Sequence, residues 1–158
     1  MRRVRRTSLG HVLWKNTTEV PMPILILMVR KACQKWSAHL EIPADWTKPS
    51  LHEISFQNRE WGYSGHASYW SRRIVCSLGQ TLQEEWRGGG RPLRDIFHLI
   101  AHEVGHMAVH HAETWNGLKQ SRNHGKSGGG DEEYIDRMAA KFVASFPEAE
   151  IQEWIAKN

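Results

Sequence analysis

Apolar residues recur at helical spacing between Pro21 and Pro43, with Ile24, Leu27, Met28, Ala32, Trp36 and Leu40 on one side, which predicts an amphipathic helix closed by Pro43. The segment Leu51–Gln57 alternates and predicts a strand. A turn-rich stretch separates it from His66–Leu78, where Trp70, Arg72, Ile74, Cys76 and Leu78 share one side. The two strands are expected to form a hairpin or meander, with Trp36 and Trp70 both on apolar faces. Gly88–Pro92 frees the backbone and then places a proline where a helix can begin, so a helix is predicted from about Leu93 to about His111. Residues 113–130 lack periodicity and read as a long loop. Asp131–Phe146 is again helical and stops at Pro147, with a short amphipathic tail to Asn158.

The chain has 158 residues, 40% hydrophobic and 24% charged, the size and mixture of one compact domain. The organisation expected is a basic N-terminal arm over residues 1–20 and one folded domain over 21–158. The longest uncharged apolar run, Pro21–Val29, is far short of the roughly twenty residues a membrane-spanning helix needs. Cys33 and Cys76 cannot supply a disulfide framework or a four-thiolate zinc site, so a reducing cytoplasm is the expected compartment. The arginines at positions 2, 3, 5 and 6 read as a solvated arm rather than a secretory signal. Net charge is +4, yet residues 131–158 carry 3 basic against 7 acidic side chains. A basic body permits weak nucleic-acid contact through the arm, but no nucleic-acid-reading motif accompanies it.

Candidate chemistry is concentrated in the helix predicted over 93–111. Leu93, Ile96, Phe97, Ile100, Val104 and Ala108 form one apolar arc, while His98, His102, His106 and His110, each four apart, line the other side. His102-Glu103-Val104-Gly105-His106 is an HExxH motif. Two neutral imidazoles one turn apart can grip a single zinc ion, and Glu103 beside the first can accept a proton from water that the ion activates.

A catalytic zinc site ordinarily takes a third protein ligand. The metzincin pattern requires a histidine where this chain has Ala112, and His110 and His111 diverge from a metal held by the first two. The remaining candidates are Glu132, Glu133 and His124. On the helix wheel Glu132 lies within the apolar arc of Ile135, Ala139, Phe142 and Val143, and Glu133 is displaced by about 100°. Glu132 is therefore preferred, with Asp136 one turn later placed to hold a liganding histidine by its other ring nitrogen.

These residues resemble zincin metallopeptidases of minimal size. HEVGH followed by EEYIDRMAAKF is similar to the ImmA/IrrE-type peptidases, whose second helix carries a Glu ligand followed four residues later by Asn or Asp. YWSRRIVCSLG leading to RPLRDIFHLIAHEVGHMAVHH, with Asn123-His124-Gly125, resembles the SprT-like proteases, although Lys126-Ser127-Gly128-Gly129 stands where that family has an aromatic residue. The resemblance spans about residues 50–145. It implies a single-domain α+β zincin-like fold: a small antiparallel or mixed sheet, the HExxH helix, and a second C-terminal helix supplying the third ligand. It also implies a zinc-dependent endopeptidase acting on protein or peptide, with metal ligands His102, His106 and Glu132 and with Glu103 as general base. In such enzymes the strand before the active-site helix pairs with extended substrate, here roughly Ser71–Leu78.

Trp61, Tyr63 and Trp115 are candidate substrate contacts, Tyr63, Tyr69 and His124 candidate oxyanion donors, and Cys33 and Cys76 candidate packing residues. Two other functions compete: a zincin-shaped adaptor or regulator that binds protein or nucleic acid, and an HNH-type nuclease using His110-His111 and Asn123-His124. The first has no use for Glu103, and the second leaves the His102/His106 pair unexplained.

Overall fold

A computed structural model describes residues 9–115 and 129–158, with the side chains of 115 and 129–131 outside the described set. Strand β1 (Leu13–Asn16) is followed by helix α1 (Met22–Leu40), a 3-10 turn and the short α2 (Thr47–Ser50), then β2 (Glu53–Asn58), β3 (Tyr63–Ser68) and β4 (Arg73–Leu78). After them come α3 (Gln80–Glu85), a second 3-10 turn, α4 (Gly90–Trp115), α5 (Gly129–Ala144) and α6 (Glu148–Lys157). The architecture is mixed α+β, with a four-stranded sheet in the order β1-β2-β4-β3. β1 runs parallel to β2, β2 parallel to β4, and β3 antiparallel to β4.

Three expectations change. Residues 9–20 join the domain instead of forming a solvated arm: Leu9, Val12 and Val20 are buried, and β1 extends the sheet. Only residues 1–8, outside the described set, remain for the arm. The stretch His66–Leu78 is not one strand. It turns back at 69–72, where Arg72 adopts a left-handed φ of 54°, so the hairpin is β3–β4 and β2 pairs in parallel with β4. Trp70 falls on that turn and is 96% exposed, off the apolar face expected for it. The long loop shortens at both ends, because α4 continues to Trp115 and α5 begins at Gly129; the rest of it, with His124, lies outside the described residues.

The core forms around α4, which lies between the sheet, α1 and α5. Pro23 stands in the first turn of α1, where a missing N–H costs nothing, and the buried face of the helix includes Trp36, fully shielded from water. The Trp36 indole donates to the Ala101 carbonyl of α4 at 2.9 Å and packs edge-on against Phe142 of α5. This contact needs Gly105 of the HExxH turn: a Cβ there would stand 2.5 Å from Trp36 Cζ2 and 2.9 Å from Ile135 Cγ2. Farther along, Arg94 of α4 donates to the Val143 and Phe146 carbonyls at 2.9 and 2.8 Å, capping the C-terminal end of α5. α6 closes the end of the core with Trp154 against Phe97 and Phe146. No described helix is long and apolar enough to cross a membrane.

Gly105→Ala tests this packing. In an open helix the change would stabilise by about 1 kcal/mol; here the overpacking cost of about 1–3 kcal/mol wins. Urea denaturation is expected to show net destabilisation.

Candidate metal centre

Four imidazoles, His98, His102, His106 and His110, follow one another at four-residue spacing along α4, each half-buried, while the opposite side of the helix fills the core. Their shared face meets the first turns of α5. Arg94 anchors the far end of α5 and Ile135 and Ala139 are buried against the core, so Glu132 and Asp136, one turn apart, reach toward the histidines.

His102 Nε2 and His106 Nε2 lie 3.2 Å apart, and the Glu132 carboxylate places Oε1 3.0 Å from the first and Oε2 3.0 Å from the second. Asp136 Oδ1 is 3.2 Å from His102 Nδ1 and 2.7 Å from His98 Nε2. A neutral His102 that donates from Nδ1 to Asp136 turns an unprotonated Nε2 toward a carboxylate oxygen and a second ring nitrogen. Lone pairs converging in this way are stabilised by a cation among them. The separations fit one ion, since nitrogen ligands at 2.0–2.1 Å in a tetrahedron lie about 3.3 Å apart. Thus His102, His106 and Glu132 could hold a metal ion, and His98, His102 and Asp136 form a second such group that shares His102.

The chain matches no family model, curated protein or solved structure in the comparisons made. Any assignment therefore rests on this geometry.

The structure brings His102, His106 and Glu132 together, with Asp136 on the other nitrogen of His102 as expected. Glu132 departs from expectation in being 59% exposed rather than buried. Glu133 is exposed and belongs to neither donor group. His98 was not expected in the site. The signal lies in the four-residue series, which His98 begins, and in Asp136, which serves His98 as well as His102.

Glu103 is 6% exposed and has no hydrogen-bond partner among the described residues. Burial, reinforced by the neighbouring Glu132 charge, raises its carboxyl from 4.5 to about 7. It lies under β3 at Gly65, where an added Cβ would stand 2.4 Å from Oε2 and 2.7 Å from Cδ. The edge strand therefore accommodates the carboxylate only because position 65 has no side chain. Burial, with His102 beside it, also lowers the pKa of His106, favouring the neutral ring that a metal needs.

A cleft of about 470 Å3 opens beside these groups, lined by Tyr63, Gly65, Asp95, His98, Glu103 and Asp136 among others. Tyr63 thus stands in the cleft, its phenol raised by burial and then by Asp95 and Asp136, whereas Tyr69 stacks on His110 at 4.1 Å, farther along α4. Trp61 is exposed on the β2–β3 turn, and His124 and the Trp115 side chain are outside the described set. Cys33 and Cys76 are buried, as expected for packing, and burial pushes the Cys33 thiol up to about 12. The expected substrate strand Ser71–Leu78 is corrected: β4 pairs with β2 on one side and β3 on the other, so its edges are occupied. Among the described residues the free edge next to α4 belongs to β3.

The Glu103 shift has a definite sign. Folded, the carboxyl keeps its proton to about pH 7; unfolded, it loses it near 4.5. Through that window the native state binds more protons, so this group's contribution to stability falls as pH rises. In chelator-treated protein, the stability of Glu103→Gln relative to wild type is expected to improve by up to about 3 kcal/mol from pH 4.5 to 7 and then level off. Parallel denaturation curves at several pH values check this, and the comparison cancels the histidine titrations common to both proteins.

Proposed function

We propose that this chain is a zinc-dependent metalloendopeptidase of the zincin type, with His102, His106 and Glu132 as ligands and Glu103 as general base. The observation that carries the reading is the meeting of two Nε2 atoms and one carboxylate within 3.0–3.2 Å of one another, next to a buried carboxylate with no hydrogen-bond partner among the described residues. A purely structural site needs the first three groups and has no use for the fourth.

When bound, zinc supplies Lewis acidity toward water and the substrate carbonyl. Glu103 takes the proton from the attacking water and returns it to the departing amine nitrogen as the C–N bond breaks. A carboxyl near pKa 7 is matched to both transfers at neutral pH. Asp136 fixes the tautomer and orientation of His102, and His98 in turn holds Asp136. The free edge of β3 offers main-chain hydrogen bonds to an extended peptide lying across Glu103, and Tyr63 stands in the cleft as the candidate oxyanion donor.

Purified wild type is expected to hold one zinc ion and to hydrolyse an unfolded protein. Glu103→Gln should retain the zinc and lose about 10²–10⁴ in rate. Glu132→Ala should sharply weaken zinc affinity, Asp136→Ala should weaken it by about 10–100-fold, and Glu133→Ala should leave it unchanged. Gly65→Ala should keep its zinc and lose most hydrolysis, because the new methyl displaces the Glu103 carboxylate. Zinc-loaded wild type that leaves unfolded protein intact refutes the proposal.

A further inference from the structure

On the opposite side of the His102/His106 pair from the acidic cleft, α4 and the tip of the β3–β4 hairpin enclose a second cavity of about 700 Å3. Ala67 and the buried Met107 line it, with the stacked pair Tyr69 and His110, and Trp70 and Arg72 contribute at the hairpin tip. Cleft and cavity lie along one face of α4, since His98 lines the first, His110 lines the second, and the two candidate ligands fall between them in the same four-residue series. β3 also spans both: Tyr63–Gly65 border the cleft and His66–Ser68 the cavity. A chain laid along the free edge of β3 passes from one to the other across the candidate metal centre.

The two ends differ in chemistry. Asp95, Glu103 and Asp136 line the cleft, whereas among the described residues no carboxylate lines the cavity, whose surface is mostly apolar and whose one full charge among them is Arg72. Beside it Trp70 leaves 96% of its surface in water. An indole held on a tight turn next to an apolar cavity is apolar surface with no partner among the described residues, the mark of a contact made with something else. The volume falls within the range of sites that enclose most of a small ligand. It exceeds what one ring needs, and alternate side chains of an extended peptide, about 7 Å apart, can enter together.

We propose that this cavity selects bulky apolar or aromatic side chains of an extended peptide, on the N-terminal side of the bond to be broken. The inference rests on the peptidase reading for the bond that is broken, while the binding preference stands independently of hydrolysis. The direction follows from strand pairing. Antiparallel pairing is the more stable per residue, and a peptide antiparallel to β3 has its N-terminal part beside Ser68, at the cavity, and its C-terminal part beside Tyr63, at the acids. The substrate class is therefore unfolded protein segments of the kind that native cores hide.

The test uses the full chain carrying Glu103→Gln, loaded with zinc, and fluorescein-labelled decapeptides that differ only in having Phe or Ser at the three positions before the central bond. Fluorescence anisotropy is expected to show the Phe peptide binding about tenfold or more tightly. Trp70→Ala, at a position too exposed to affect folding, should narrow that difference by about threefold or more. Ala67→Trp, which fills the cavity, should abolish it with zinc content unchanged. Equal affinities, no binding of either peptide, or a preference that survives both substitutions overturns the proposal. Incubating the same peptides with zinc-loaded wild type and mapping products by mass spectrometry separates the two ideas. A preference without cleavage sinks hydrolysis and leaves the cavity's role standing. Cleavage at sites with no apolar residue upstream sinks the cavity's role alone.

Discussion

The contact between α4 and α5 is the constraint on which the rest of the molecule turns. One side of α4 must be buried for the domain to have a core, and the other side carries imidazoles that are costly to bury unless their polar atoms are satisfied. The fold meets both demands by bringing the first turns of α5 to the imidazole row. Glu132 and Asp136 satisfy the rings there, while Ile135 and Ala139 of the same helix enter the core. Trp36 sets how closely the helices approach through Gly105, and Arg94 fixes the far end of α5. Core packing and site geometry are thus consequences of one helix pair.

Elements whose periodicity is local were legible in the sequence. Helices α1, α4 and α5 carry uninterrupted apolar arcs, and the positions of His102 and His106 opposite the arc of α4, with Glu132 and Asp136 one turn apart on α5, were enough to anticipate which would meet. What was illegible is nonlocal or very short. β1 is four residues, Leu-Trp-Lys-Asn, with no alternation to separate it from the basic segment before it, and it exists because β2 offers an edge. The placement of β4 between β2 and β3 depends on pairing across the sheet, which no local pattern encodes. The misplacement of Trp70 follows from that, since the alternation through 70, 72, 74 and 76 continues across a turn that only the left-handed backbone at Arg72 reveals. Exposure of Glu132 has a similar origin: a helix wheel gives the direction of a side chain but not where along the helix the core ends.

Polarity along α4 also follows from the topology. The helix passes beneath β3 with its earlier residues at the Tyr63 end and its later ones at the hairpin tip, so each stretch of α4 shares a wall with a different part of the edge strand. Asp95 is carried to the first end by α4 itself, and Asp136 reaches it because α5 runs back along α4 from His106 toward Arg94. Among the described residues the second end is bounded by the turn between β3 and β4 and by α2, and these bring aromatic and aliphatic side chains but no acid. A groove with unlike ends distinguishes the direction as well as the composition of a bound chain, since reversing a peptide exchanges its two halves.

Glu103 is the residue that packing alone least explains. A carboxyl held to about pH 7 by burial is a stability cost at neutral pH, and no donor among the described residues reaches the carboxylate to reduce it. The strand above it forgoes a side chain at Gly65, which weakens a β-strand, and so creates the space the carboxylate occupies. A glutamine, or an apolar residue of similar volume, would fill the position without the electrostatic cost. Two concessions at one point, a buried acid with no donor among the described residues and a bare edge strand, are accounted for together when the carboxylate has to give up and take back a proton beside an extended chain. A metal site that served only to hold α4 and α5 together would require neither.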